Sequence, residues 1–273
     1  MKSRNYSLSH LVILIVFTAP GTVFADTVVL LHGYLGSSVE WQRSDIIQQL
    51  DSSSWQDAGV LNIQNDRVHS SQEKTNSTRR TYRVNLTSEQ SIDAQAEQLD
   101  QYIEYIRHRH PDQQIILVGH SAGGVVARLY MVKHPSDDLR ALVTIASPHL
   151  GTQNAEYAQT ISENFLTWIE GVPGAEKLYR SQGLFFDLIP GRSDNLIAWL
   201  NVQEHPSARY YSIVREETDD AIRDFIVPSW SQDMNEVFAL RGLSETYTIK
   251  SLHSLTSKDG EILKSILLDL YTI

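Results

Sequence analysis

Residues 115–128 are Ile-Ile-Leu-Val-Gly-His-Ser-Ala-Gly-Gly-Val-Val-Ala-Arg, a strand-like run, a glycine-bounded serine and the start of a helix. Ile115 to Val118 form a continuous apolar, β-favouring run, as expected of a strand buried on both faces in a parallel sheet. The run breaks at Gly119, and Ser121 to Lys133 has helical character up to the residues before Pro135. Gly119-His120-Ser121-Ala122-Gly123 is therefore a G-x-S-x-G pattern lying between a strand and a helix, which is the setting that gives the pattern meaning. A turn this tight strains the serine backbone and needs small neighbours. It lifts the hydroxyl above the sheet edge, where the positive end of the following helix faces it.

Working outward, the same alternation continues in both directions. Thr27 to Leu31 is a second apolar run and ends at His32-Gly33. Helical spacing follows at Val39, Trp41, Ile46, Ile47 and Leu50; residues 51–79 are polar and read as loops around a short strand near Val60 to Ile63. Tyr82 to Leu86 is a further strand. Ser88 to Arg109 reads as a long amphipathic helix, N-capped by Ser88 or by Ser91. Beyond the serine, strands are expected at 139–145, 209–214 and 246–249, and a closing helix at 259–271. Residues 151–208 break the rhythm with many large apolar side chains, among them Phe165, Trp168, Ile169, Tyr179, Phe185, Phe186 and Trp199, cut into short pieces by glycine and proline. The expected architecture is α/β, with a mostly parallel central sheet, helices on both faces, and a helical cap or lid inserted at about 152–205 into one domain spanning 26–273.

An alcohol is a poor nucleophile at neutral pH and needs an adjacent base, itself oriented by an acid. On strand–turn–helix serines of this kind the acid and then the base follow along the chain. Of ten histidines, His253 fits that order, in a loop between the last strand and the last helix. For the acid, Asp224 is favoured because Phe225-Ile226-Val227-Pro228 would hold it on a loop before a short helix; Asp220 and Asp219 are the alternatives. Negative charge developing on a carbonyl oxygen calls for two backbone N–H donors, expected from Ala122 and from Tyr34 in His32-Gly33-Tyr34-Leu35-Gly36. His32 is read as a brace of that loop. His120 is read as a support of the serine turn with its side chain directed away, and His149 as structural or exposed.

The N-terminus carries Lys2 and Arg4, an apolar stretch from Leu11 to Phe17, and Val23-Phe24-Ala25. This is the pattern of a signal peptide over residues 1–25 cleaved after Ala25, and it implies an exported protein, periplasmic or secreted. Cleavage takes the formal charge from −10 to −12, which argues against nucleic-acid binding through a basic patch. The absence of cysteine removes disulfides, thiolate nucleophiles and Cys-ligated metals. Asn76-Ser77-Thr78 and Asn85-Leu86-Thr87 match the N-glycosylation pattern.

Five segments carry a resemblance: Val28 to Ser37, Val118 to Arg128, Thr144 to Thr152 (Thr-Ile-Ala-Ser-Pro-His-Leu-Gly-Thr), Asp224 to Ser229, and His253. Together they resemble the lipase/esterase branch of the α/β hydrolases, including bacterial triacylglycerol lipases and deacylases of lipid anchors. The resemblance implies cleavage of carboxylic esters of lipid-like or other apolar acyl groups, with no cofactor and no metal, and a cap over the active site. Ser121 is then the nucleophile, His253 the base, Asp224 its partner, and Tyr34 and Ala122 the oxyanion donors. Acyl transfer, thioester or amide cleavage would use the same residues; a non-catalytic binding protein on this scaffold is the alternative outside enzymology. The expected partner is a small or lipid ester, with transient contact between the cap and a lipid interface.

Overall fold

The structure is a computed structural model, and it describes residues 26–72, 77–158, 175–216 and 224–271. Eight strands form one sheet: β1 (Asp26–Leu31), β2 (Gln56–Gln64), β3 (Arg67–Ser70), β4 (Arg79–Val84), β5 (Gln114–His120), β6 (Leu139–Ile145), β7 (Arg209–Arg215) and β8 (Ser244–Ile249). Their spatial order is β3-β2-β4-β1-β5-β6-β7-β8, parallel throughout except for the β2–β3 hairpin.

Alternation along the central strands explains why both faces must be covered. Val28 and Leu30 of β1, with Ile116 and Val118 of β5, enter one core, which is closed by Trp41, Ile46 and Leu50 and by Leu263, Ile266 and Leu267 of the last helix. Val29, Leu31, Ile115 and Leu117 enter the other, closed by the long helices α3 (Ile92–Arg109) and α4 (Ala122–Lys133). The helices α1 (Glu40–Arg43) and α2 (Ile46–Asp51) lie between β1 and β2. Asp45, at φ 61°, separates them, so the single helical stretch expected at 39–50 is two short ones.

Elsewhere one expectation is revised and one choice between two is resolved. The polar stretch 51–79 holds a nine-residue strand and an antiparallel edge strand, where only a short strand was expected. Ser91, the second of the two suggested caps, starts α3 by accepting from the Ala94 N–H at 3.3 Å. Ser88 instead accepts from the Leu35 N–H at 3.0 Å and so ties down the loop after β1.

Within the segment following β6, the described part contains α5 (Ala175–Arg180), α6 (Gln182–Asp187) and α7 (Leu196–Leu200). Phe165, Trp168 and Ile169 lie outside the described residues, as does the N-terminal stretch 1–25. After β7 come α8 (Ser229–Gln232), β8 and the closing helix α9 (Ser257–Asp269). Thr256 and Asp259 form a capping box at the start of α9.

Strand order fixes where a site can form. The chain crosses to one side of β1 to make β2–β4, then to the other side from β5 onward. The crevice at the carboxyl ends of β1 and β5 is thus a topological switch point, the position where open parallel sheets bind ligands. Leu31 and Gly119 pair in register there, so the loops 32–36 and 119–123 leave the sheet side by side.

Candidate active site

Ser121 sits at φ 53° and ψ −130°, a left-handed conformation that non-glycine residues rarely adopt. The turn is held by Ser121 N–H donating to Ile145 O at 2.9 Å and Gly124 N–H donating to Ser121 O at 3.0 Å. Close packing explains the small residues. A Cβ on Gly123 would lie 2.5 Å from the His32 carbonyl oxygen, and one on Gly33 would lie 2.8 Å from Ser121 Cβ. The serine turn and the loop after β1 therefore meet backbone to backbone.

A hydrogen-bonded chain runs from the hydroxyl. His253 Nε2 is 2.9 Å from Ser121 Oγ, and His253 Nδ1 is 2.7 Å from Asp224 Oδ2. A carboxylate only accepts, so Nδ1 carries the proton and Nε2 is left to accept from the serine. Asp224 Oδ1 accepts from the Ile226 and Val227 N–H groups at 2.8 and 3.0 Å, and Oδ2 also accepts from Gln232 Nε2 at 3.0 Å. Burial alone would raise the Asp224 pKa. Its bonds to His253, Val227 and Ile226 outweigh that, so the carboxyl is held below its usual range. Burial lowers the His253 pKa, and the neighbouring Asp224 charge does not fully offset it. The imidazole is thus biased toward the neutral form that can accept a proton.

Among the sequence candidates, Ser121, Asp224 and His253 are brought together; Asp219 and Asp220 lie outside the described residues. Ala122 is the first residue of α4, where an N–H has no partner four residues earlier. Tyr34 is oriented through its peptide plane. His32 Nε2 accepts from the Leu86 N–H at 3.0 Å, so the ring proton is on Nδ1 and is donated to Gly33 O at 2.9 Å. Gly36 N–H donates to the same carbonyl at 3.1 Å. In a trans peptide the N–H points opposite the C=O, so fixing the Gly33 carbonyl fixes the Tyr34 N–H.

Sequence reading missed a set of supports behind His253. Arg215 and Asp259, both fully buried, form an ion pair at 2.6 Å. Arg215 Nη2 also donates to the Ser254 carbonyl at 3.1 Å and reaches the His253 carbonyl at 3.4 Å. The Arg215 N–H donates to Gln232 Oε1 at 2.8 Å, joining this pair to the residue that holds Asp224. His120 was expected to point away. Instead its Nε2 donates to the His253 carbonyl at 3.0 Å, and the two rings lie 5.1 Å apart. Glu40 Oε2 lies 3.7 Å from His120 Nδ1. His149 is fully buried and bonded to Thr144 Oγ1, a structural role. Asn85 is likewise built into the structure: its Oδ1 accepts from Ser38 N–H and its Nδ2 donates to Asn62 Oδ1.

A model of the alpha/beta hydrolase fold matches residues 26–182, more than half of the chain. The chain belongs to the α/β-hydrolase fold family. This hydrolase is also 32% identical over 93 residues to a GPI inositol-deacylase of Debaryomyces hansenii; the match takes in 30% of this chain and 9% of that protein. Three solved structures share its fold at low identity. The mature form of the Bacillus licheniformis lipase BlEst2 gives a TM-score of 0.56 at 15% identity, covering 94% of this chain and 95% of that one. The product of lin2722 from Listeria innocua gives 0.54 at 18% identity, covering 90% of each chain. Est1E from Butyrivibrio proteoclasticus gives 0.54 at 13% identity, covering 93% and 91%.

The surroundings of Ser121 in the hydrolase are divided. A cavity of about 300 Å³ extends from Tyr34, Ser121 and Ala122 to apolar side chains that include Leu184, Phe185, Leu188 and Val227. Tyr34 and Phe185 meet edge to face at 5.4 Å, so the loop after β1 packs on α6. A second cavity, of about 340 Å³, opens from Ser121 and Tyr34 on the side of His253.

Proposed function

We propose that this hydrolase cleaves carboxylic esters of apolar acyl groups through an acyl-enzyme on Ser121. The observation that carries the reading is the Ser121–His253–Asp224 chain, placed at the mouth of an apolar cavity. His253 Nε2 takes the Ser121 proton as Oγ adds to the acyl carbonyl. Negative charge on the former carbonyl oxygen is met by the Tyr34 and Ala122 N–H groups. His253 then gives its proton to the leaving alcohol oxygen, and the acyl group stays on Ser121. Water enters, loses a proton to His253, and releases the acid by the same path. Asp224 keeps the proton of the resting imidazole on Nδ1 and stabilises the imidazolium between these steps.

The apolar cavity supports an apolar acyl group, since burying each methylene contributes about 0.8 kcal/mol. Residues 1–25 serve as a cleaved signal in this reading, so the enzyme acts outside the cytoplasm. The cap, including exposed Tyr179, meets the lipid phase that delivers substrate.

Hydrolysis of p-nitrophenyl esters, with fluorophosphonate labelling of Ser121, tests the proposal. Ser121→Ala should remain folded, lose labelling, and lose at least about 10³-fold in kcat. Unchanged ester turnover in that variant would refute it. Matched thioesters and amides, and an added alcohol acceptor, separate ester hydrolysis from the other acyl chemistries of the same residues.

A further inference from the structure

Two donors converge on the carbonyl of His253, and each is backed by a carboxylate. On one side Arg215, paired with Asp259 at 2.6 Å, brings Nη2 to 3.4 Å from the oxygen. On the other, His120 Nε2 donates at 3.0 Å, with Glu40 Oε2 3.7 Å from His120 Nδ1. A guanidinium keeps its charge at any working pH, whereas an imidazole does not. The second support can therefore change with acidity.

Both ring nitrogens of His120 face acceptors. The His253 carbonyl takes the Nε2 proton. Nδ1 is buried, has no hydrogen-bond partner among the described residues, and lies within ion-pair distance of Glu40. A carbonyl and a carboxylate cannot donate, so the ring satisfies both neighbours only with a proton on each nitrogen. Glu40 is fixed from the loop after β1. Its carboxylate accepts from the Ser37 N–H and packs on Gly36, where an added Cβ would lie 2.5 Å from Oε1. Burial would raise the Glu40 carboxyl, but His120, His32 and the Ser37 N–H together hold it below its usual range, so an anion stands beside Nδ1.

The surroundings decide what a charge on His120 does. Glu40 and Arg43 come from α1, His32 from the loop after β1, and His253 from the loop before α9, with Arg215 behind the shared carbonyl. The rings of His120 and His253 lie 5.1 Å apart. An imidazolium at 120 repels a second one at 253. Burial lowers the His253 pKa, the bond to Asp224 raises it, and a charge on His120 lowers it again.

We propose that Glu40 and His120 form a second acid–imidazole pair that takes up a proton in mild acid and, by repulsion between the two rings, keeps His253 free to act as the base. His120 is then a positioning residue that acts on His253 twice, through its Nε2 proton on the carbonyl and through its charge. The assignment rests on the ester-hydrolase reading and extends it to how the base is tuned.

The test is the acid limb of kcat/KM for p-nitrophenyl butyrate, which follows protonation of the base in the free enzyme. His120→Gln keeps an N–H for the His253 carbonyl and removes the charge. Its plateau rate should stay within about threefold of wild type. Its acid limb should move to higher pH by at least about half a pH unit, the effect of two unit charges 5.1 Å apart even at the dielectric constant of water. His120→Phe keeps a ring and loses both charge and donor, so the limb should move as far and the plateau should fall about tenfold. The Cε1 proton of His253, followed by NMR, should titrate with the limb in each protein, which separates this ring from His32. In a Glu40→Gln background, where the amide oxygen still accepts from Ser37, His120→Gln should move the limb less than half as far. A limb that stays in place or moves to lower pH in either folded variant at position 120 would overturn the proposal, as would full additivity with Glu40→Gln. Wild-type protein with neither ester turnover nor fluorophosphonate labelling at any pH would instead remove the ester-hydrolase reading, and the role of the pair with it.

Discussion

The two walls of the site are built in different ways. The wall carrying Ser121 and Tyr34 is local: two loops leave neighbouring parallel strands, and backbone approaches backbone at Gly33 and Gly123. The wall carrying Asp224 and His253 is assembled at a distance, by Gln232, Arg215, Asp259 and His120 acting on loop carbonyls and on one carboxylate. A wall of the first kind is fixed by what side chains must not be there. One of the second kind depends on polar partners that each have to be present.

The sharpest way to separate orientation from packing is Asp224→Asn. The side chain keeps its volume, and its oxygen can still accept from Ile226 and Val227. What changes is the His253 tautomer, because an amide nitrogen facing Nδ1 favours the proton on Nε2, where it cannot accept from Ser121. We expect kcat for ester cleavage to fall about 10³–10⁴-fold, with a drop in melting temperature no larger than the loss of the Gln232 Nε2 bond to the same oxygen accounts for. A loss below tenfold would mean that Asp224 does not set the tautomer.

Asp259→Asn probes the distant support. It leaves Arg215 charged and fully buried with its carboxylate gone. Removing one partner of such a pair costs about 3–5 kcal/mol of stability, so denaturant unfolding should shift strongly. In the folded fraction, kcat should fall while KM stays, because the carbonyls of His253 and Ser254 lose a fixed anchor. The local wall gives the contrasting result with Gly123→Ala. There the added methyl meets the His32 carbonyl, and overpacking of about 1–3 kcal/mol should be joined by loss of fluorophosphonate labelling.

This contrast also explains what was legible in the sequence. A turn that demands small residues leaves glycines at fixed spacing, and a buried parallel strand leaves an unbroken apolar run. Ser121, the loop after β1 and seven of the eight strands, β2 only in part, could be placed from the sequence. Gln232 and Arg215 left no trace, because a polar residue that bonds a distant loop has no periodicity. Thr256-x-x-Asp259 was a readable helix start, and the capping box it forms places Asp259. The pairing of that carboxylate with Arg215, 44 residues away, was not readable. Arg67–Ser70 escaped notice because an edge strand, half exposed along its length, resembles a polar loop.

Gln232→Leu tests the weakest link of the distant wall. Asp224 keeps His253 and two backbone donors but loses one charge-assisted hydrogen bond, worth about 1.5–3 kcal/mol. The expected loss in kcat is about 10–100-fold, smaller than for Asp224→Asn, and Gln232→Glu should not rescue it because a carboxylate cannot donate.

The smallest effect expected is a pH dependence of stability that both walls share. Burial depresses His32 in the local wall and His253 in the distant one. It also takes His110 and His205 to about 4 and His149 well below its usual value. A histidine depressed in the folded state stays neutral while the unfolded chain, titrating near 6.5, takes up a proton. Its contribution is therefore complete above about pH 6.5 and is lost as the pH falls toward the folded values. Asp26 and Asp187, raised to about 6 by burial, act in the opposite sense: the folded state binds their protons first, so they stabilise as the pH falls. Five imidazoles outnumber two carboxyls. Melting temperature should therefore fall between pH 6.5 and 4, with net proton uptake on unfolding, and a flat profile would contradict the burial of these rings. His32 ties this slope to activity. Its Nε2 accepts the Leu86 N–H, so protonation there breaks the bond that anchors the ring whose Nδ1–H holds the Gly33 carbonyl. Ester cleavage should accordingly decline in acid faster than the neutral fraction of His253 alone requires.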